Sequence, residues 1–230
     1  MARPLVTLHF SQSLDGRIGF DHGERAVLSS EEGIMHAHRV RSEHDAVLVG
    51  IQTILNDDPL LTVRECSGPQ PRRVVLDSTL RLPQTTRLLQ SQDSSEILVF
   101  GVLGRASPEA RRGLENHGAS VFLVDEGHSG RVSLSATLAV LHELGVRRLL
   151  VEGGATVLTA FLRECLADRA EVDIAPCLLG GLAIPSLRDL GNLHFSSAVR
   201  LSHLQVERLG PDVFVRGEIV YPSNRWQAER

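Results

Sequence analysis

Leu149-Leu150-Val151-Glu152-Gly153-Gly154-Ala155-Thr156-Val157-Leu158-Thr159-Ala160-Phe161-Leu162 reads as a buried strand that runs into a glycine pair and turns directly into a helix. Glycines let backbone N–H groups come close to an anion, and the helix N-terminus behind them adds the positive end of its dipole. One carboxylate, Glu152, stands at the strand's C-terminal mouth, where open α/β sheets collect ligands. Strand, Gly-Gly and helix occur together in many α/β crossovers, so this stretch alone leaves phosphate binding and plain chain reversal both open.

Outward from this junction the same rhythm repeats. Leu5 to Phe10 alternates as a first strand, with Ser11, Ser13 and Asp15 at its end and Ser13-Leu14-Asp15-Gly16-Arg17 as a turn. A helix is expected from Glu31 to about Glu43, opened by Ser29-Ser30-Glu31-Glu32. Asp45 to Gly50 reads as a short strand, followed by a short helix from Ile51 that Asn56-Asp57-Asp58-Pro59 stops. Arg73 to Asp77, Glu96 to Gly101 and Val121 to Val124 are further apolar strands, and Ser107-Pro108 caps a helix between the last two. A helix over Ser135 to Leu144 leads back to the opening strand. The remainder, Glu171 to Ala175, Val199 to Glu207 and Asp212 to Ile219, is strand-rich. Strands alternating with helices, then an all-β ending, predict an α/β fold with a mostly parallel mixed sheet and an antiparallel C-terminal edge. A single domain over residues 1–220 and a polar tail over 221–230 are expected.

Composition narrows the function classes. The 230 residues carry net charge −4, which argues against nucleic-acid binding. All 24 basic residues are Arg, so Schiff-base and Walker-type lysine chemistry are excluded. Cys66, Cys165 and Cys177 are widely spaced and include no C-x-x-C pair, which indicates neither a disulfide framework nor a zinc site. Cys177, in an apolar run, is expected to be a buried inert thiol. No apolar run reaches membrane-spanning length and the N-terminus does not read as a signal peptide, so a cytoplasmic protein without membrane contact is expected.

Two strand–glycine–helix junctions, at Val49-Gly50-Ile51 and at Glu152-Gly153-Gly154, suit a ligand with several phosphates. Neither is G-x-G-x-x-G, which disfavours a Rossmann dinucleotide site. Asp57 and Asp58 are either a capping and turn cluster or a carboxylate that orients a ligand or moves a proton. Arg39, Arg41 and Arg64 are either solubilising or a fork for a phosphate. His36 and His38, two apart on a helix, point away from each other and read as a solvated face rather than a metal pair. Gly180-Gly181 reads as a backbone turn.

Six stretches, in order, resemble one known family. They are Ser13 to Arg17, Arg41 to Gly50, Thr53 to Arg64, Arg73 to Ser78, Val151 to Ala155, and Ile174 to Gly180. This set resembles the reductase domain of bacterial bifunctional riboflavin-biosynthesis deaminase/reductases and the stand-alone pyrimidine reductases of that pathway. The resemblance implies a dihydrofolate-reductase-like fold, bound NADPH and a phosphorylated small-molecule substrate. It implies hydride transfer to C1′ of the ribosyl group of 5-amino-6-(5-phosphoribosylamino)uracil. By the same resemblance, Ser11, Thr53, Asp57, Ser78 and the run Gly153, Gly154, Ala155, Thr156, Val157 and Leu158 hold the cofactor. Arg41, Leu61, Arg64 and Glu152 hold the substrate, Asp57 and Glu152 are the catalytic carboxylates, and no metal is required. A homodimer is implied, with the β-rich C-terminal third as its interface. In place of the family's Ser-x-Trp-Ile-Ser/Thr stretch stands Arg25-Ala26-Val27-Leu28-Ser29, and the zinc-binding deaminase signature is missing from this sequence. A dihydropterin reductase on the same scaffold and a non-catalytic ligand-binding paralogue are the alternative readings.

Overall fold

The computed structural model describes residues 2–20, 27–191 and 194–223. In chain order its elements are β1 (Leu5–Ser13), β2 (Arg17–Gly19), α1 (Glu31–Ser42), β3 (Ala46–Gly50), α2 (Ile51–Asp57), β4 (Arg72–Leu76), α3 (Arg87–Gln90), β5 (Ile97–Val102) and α4 (Pro108–Glu115). They continue with β6 (Ala119–Val124), α5 (Leu134–Glu143), β7 (Arg148–Gly153), α6 (Ala155–Arg163), β8 (Arg169–Ala175), β9 (Ile184–Pro185), β10 (Arg200–Leu209) and β11 (Asp212–Val220). Two compact units result: the chain up to Leu5 with Met35–Gly154, and Val6–Ile34 with the chain from Ala155 onward.

The first unit holds five parallel strands in the order β7-β3-β4-β5-β6. Every position of β3 and β5 is buried, which is why these strands read as unbroken apolar runs rather than as alternation. Helix starts follow the expected chemistry. The Ser107 hydroxyl accepts from the Ala110 amide with Pro108 behind it, and Ser133 caps α5 on Ala136 in the same way. The core joins Val49, Ile54, Leu61, Val75, Leu88 and Leu150. Each such side chain contributes about 1.5–3 kcal/mol by leaving water.

In the second unit β1 runs parallel to β8, while β8–β11 and β11–β10 are antiparallel. Along β11 buried and more exposed positions alternate from Asp212 to Val215, the pattern of a sheet covered on one face. The fold is thus α/β, mostly parallel, with antiparallel C-terminal strands. Two motifs far apart in sequence form one joint in this unit. Asp15 accepts from the Ser13 hydroxyl, from the Leu179 amide at 3.1 Å and from the Gly180 amide at 2.7 Å, and the Leu14 amide donates to the Cys177 carbonyl. Gly180 is therefore a turn held by Asp15, and Cys177 is half-buried rather than buried.

The Ser13 hydrogen bond, then those from Leu179 and Gly180, lower the Asp15 carboxyl from 3.8 to about 2. A depressed acid stabilises the fold fully above its ordinary value and loses that contribution as pH falls from 3.8 towards 2. Asp15→Asn should therefore be less stable than wild type at neutral pH, and the gap in urea midpoints should close across that acid window. A gap that stays constant with pH would assign the effect to something other than this carboxylate.

Near the C-terminal end of the described residues the Tyr221 hydroxyl donates to the Ala167 carbonyl at 2.9 Å and accepts from its amide at 3.2 Å. Trp226 in the tail, and Arg25 and Ala26 in the altered stretch, lie outside the described residues. Among the described residues no helix is long and apolar enough to cross a membrane.

Candidate active site

Three neighbouring parallel strands of the first unit, β7, β3 and β4, end on the same side of their sheet. Their last residues lead into Glu152-Gly153-Gly154, Gly50-Ile51 and Asp77-Ser78, and carboxyl ends of this kind are where α/β sheets receive ligands. Glu152 owes its position to a bulge. Val151 pairs with Leu48 and Gly153 with Val49, so two residues of β7 face one of β3. Gly153 adopts φ +116°, a backbone conformation that side chains disfavour.

The bulged Glu152 meets Arg41 of α1 in a two-pronged ion pair: Nε donates to Oε1 at 2.6 Å and Nη2 to Oε2 at 2.8 Å. Nη1 of Arg41 donates to the Thr62 carbonyl at 3.2 Å. Burial alone would depress the guanidinium, but the Glu152 charge and its hydrogen bonds outweigh this and hold Arg41 above its ordinary value. Arg41 and Glu152, both expected to touch substrate, are paired with each other, their side chains 15% and 11% exposed.

Arg64 is different. Its side chain is exposed, and Nη1 donates to the Thr62 hydroxyl at 2.7 Å. Its backbone amide donates to Nδ1 of His38 at 3.0 Å. His38, read from the sequence as solvated, is 3% exposed. Burial and the positive charges of Arg41 and Arg64 push its imidazole below the ordinary value, against the opposing Glu65 and Glu152. Spacing carried a signal that could have found it, since His38 and Arg41 lie three apart on one face of α1.

The Asn56-Asp57-Asp58-Pro59 segment divides into two roles. Asp58, at φ +40°, closes α2 with its amide on the Ile54 carbonyl, and its Oδ1 accepts from the Arg87 amide at 2.9 Å. Asp57 is exposed on the last turn, four residues after Thr53 and so on the same helix face. Thr53 Oγ1 accepts the Gly154 amide at 3.0 Å. That amide is therefore taken, while the threonine keeps its own O–H to donate. A Cβ on Gly154 would meet only Thr53 Oγ1 within 4 Å, at 3.4 Å, so the turn is open to close approach. Chain continuity then leads into the first turn of α6, where Ala155 and Leu158 are buried and Thr156 and Val157 partly exposed.

Leu61 was expected to line substrate. Its side chain is 2% exposed and belongs to the core, while its backbone sits at φ +57°, a strained conformation for leucine. Ser78 is half-buried beyond β4, its carbonyl accepting the Val102 amide. Ser11, in the second unit, shares a 2.6 Å hydrogen bond with the Ser29 hydroxyl.

Comparison of this chain with known proteins gives a direct answer: the RibD C-terminal domain matches residues 4–215. The chain belongs to this family. It is similar to the 2,5-diamino-6-ribosylamino-4(3H)-pyrimidinone 5′-phosphate reductase of Archaeoglobus fulgidus, 36% identical over 90% of this chain and 94% of that one. It is also similar to the riboflavin biosynthesis protein RibD of Aquifex aeolicus, 35% identical over 93% of this chain but 57% of the longer relative. Among solved structures, Acinetobacter baumannii RibD superimposes with a TM-score of 0.81 at 28% identity, over 95% of this chain and 58% of that one.

Proposed function

We propose that this protein is an NADPH-dependent oxidoreductase of riboflavin biosynthesis that reduces the ribosyl group of 5-amino-6-(5-phosphoribosylamino)uracil. The observation that carries the reading is the RibD C-terminal domain match, together with the bulged Glu152-Gly153-Gly154 junction at the sheet's carboxyl edge. In the net reaction a hydride reaches C1′, the C1′–O4′ bond breaks and O4′ takes a proton. NADPH, when bound, supplies the hydride.

The chain's own residues bind and orient. Ser11, Thr53, Asp57, Ser78 and the run from Gly153 to Leu158 are assigned to the cofactor. The open Gly154 turn suits close approach of an anionic group. Asp57 is assigned the proton that O4′ requires, directly or through water. Arg64 is assigned the substrate phosphate, because it is exposed whereas Arg41 is mostly buried. The bridge of Arg41 and Glu152 then acts as a fixed wall behind it. Arg64→Ala should raise the substrate KM by about tenfold or more with little change in kcat, the signature of a group that binds ground and transition states alike. An unchanged KM would reject that assignment.

A second reading, reduction of the 2,5-diamino-pyrimidinone before deamination, is favoured by the name of the Archaeoglobus relative, which this chain matches over 94% of its length. Offering both pyrimidines in separate assays of NADPH consumption tests the function and ranks the two. A homodimer in the cytoplasm is part of the proposal, and a sedimentation measurement of mass tests the dimer.

A further inference from the structure

We infer that His38 is a positioning residue for the substrate: by accepting the Arg64 amide on Nδ1, it fixes the backbone that presents the Arg64 guanidinium to the phosphate. The inference rests on the reductase reading proposed for this chain. Residues 58–71 contain no helix or strand, so the placement of Arg64 depends on local anchors. Leu61, Thr62 and Val63 are buried, and Gln70 ties both the amide and the carbonyl of Val63 through its side chain. One face of α1 then clamps this segment at two points, Arg41 on the Thr62 carbonyl and His38 on the Arg64 amide. Beyond these backbone anchors the Arg64 side chain is exposed, with Nη1 on the Thr62 hydroxyl.

The chemistry of the imidazole agrees. A ring nitrogen that accepts from an amide carries no proton, so His38 is neutral with its hydrogen on Nε2. Its surroundings favour that form, since burial and the two arginines disfavour a charged ring. A histidine is thus held away from water to serve as a backbone acceptor, and the backbone it serves is that of the one arginine assigned to the substrate phosphate.

Three substitutions separate this role from packing. In His38→Asn the amide oxygen branches from Cγ as Nδ1 does, whereas in His38→Gln the polar end lies nearer Nε2, and His38→Ala removes both. The expected result is a substrate KM raised about fivefold to tenfold in the Ala and Gln variants, restored to within about twofold in the Asn variant. KM for NADPH and kcat should stay within about twofold of wild type. In an Arg64→Ala background, His38→Ala should add little, because the two act as one unit. An unchanged substrate KM in the Ala and Gln variants would overturn the inference. So would a rise in both KM values that Asn does not rescue, or full additivity with Arg64→Ala. A wild-type protein that reduces neither pyrimidine would instead remove the reading on which the inference stands, before any variant is compared.

Discussion

Glu152→Ala is expected to lower the unfolding free energy by about 3 kcal/mol, because it leaves the Arg41 guanidinium in a nearly dry setting without its counter-charge. For a chain of this length that loss corresponds to a drop in Tm of roughly 6–12 °C. The pair itself need not be strongly stabilising, since desolvating two charges offsets most of their attraction. The double variant Arg41→Met, Glu152→Leu should therefore recover much of the loss, with urea midpoints moving and m values unchanged. A single variant within about 1 kcal/mol of wild type would show that water reaches Arg41 readily and that the bridge is not a structural element.

Asp57→Asn is expected to reduce kcat by about two orders of magnitude while leaving Tm near the wild-type value. The side chain is exposed at the end of α2, where substitutions usually change stability by about 0.5 kcal/mol or less. Loss of a proton-handling carboxylate commonly costs about 10²–10⁴ in rate. Steady-state turnover with thermal melts on the same samples checks both halves. Wild-type turnover would remove Asp57 from the catalytic group.

Most strands and helix starts are legible in the sequence because their causes are local. The β3 and β5 runs are apolar because both faces are covered, and Ser107-Pro108 carries its cap in the residues themselves. The Gly153-Gly154 turn is legible for the same reason. Long-range facts are not. The bulge that aims Glu152 depends on the register of β7 against β3, and the Arg41–Glu152 bridge joins residues 111 positions apart. Nothing near Arg41 in the sequence announces Glu152 as its partner. Leu61 has a left-handed backbone and a core side chain, neither of which its sequence neighbours announce. His38 shares a helix face with Arg41, but its partner, a backbone amide in an irregular segment, is not named by that spacing.

The most direct test of the account follows NADPH absorbance when purified protein is mixed with 5-amino-6-(5-phosphoribosylamino)uracil, with the diamino-pyrimidinone phosphate and with dihydrofolate in parallel. The account predicts stoichiometric NADPH oxidation with a phosphoribosyl pyrimidine, formation of the ribitylamino product and no oxidation with dihydrofolate. Oxidation with dihydrofolate alone, or with none of the three, would contradict it.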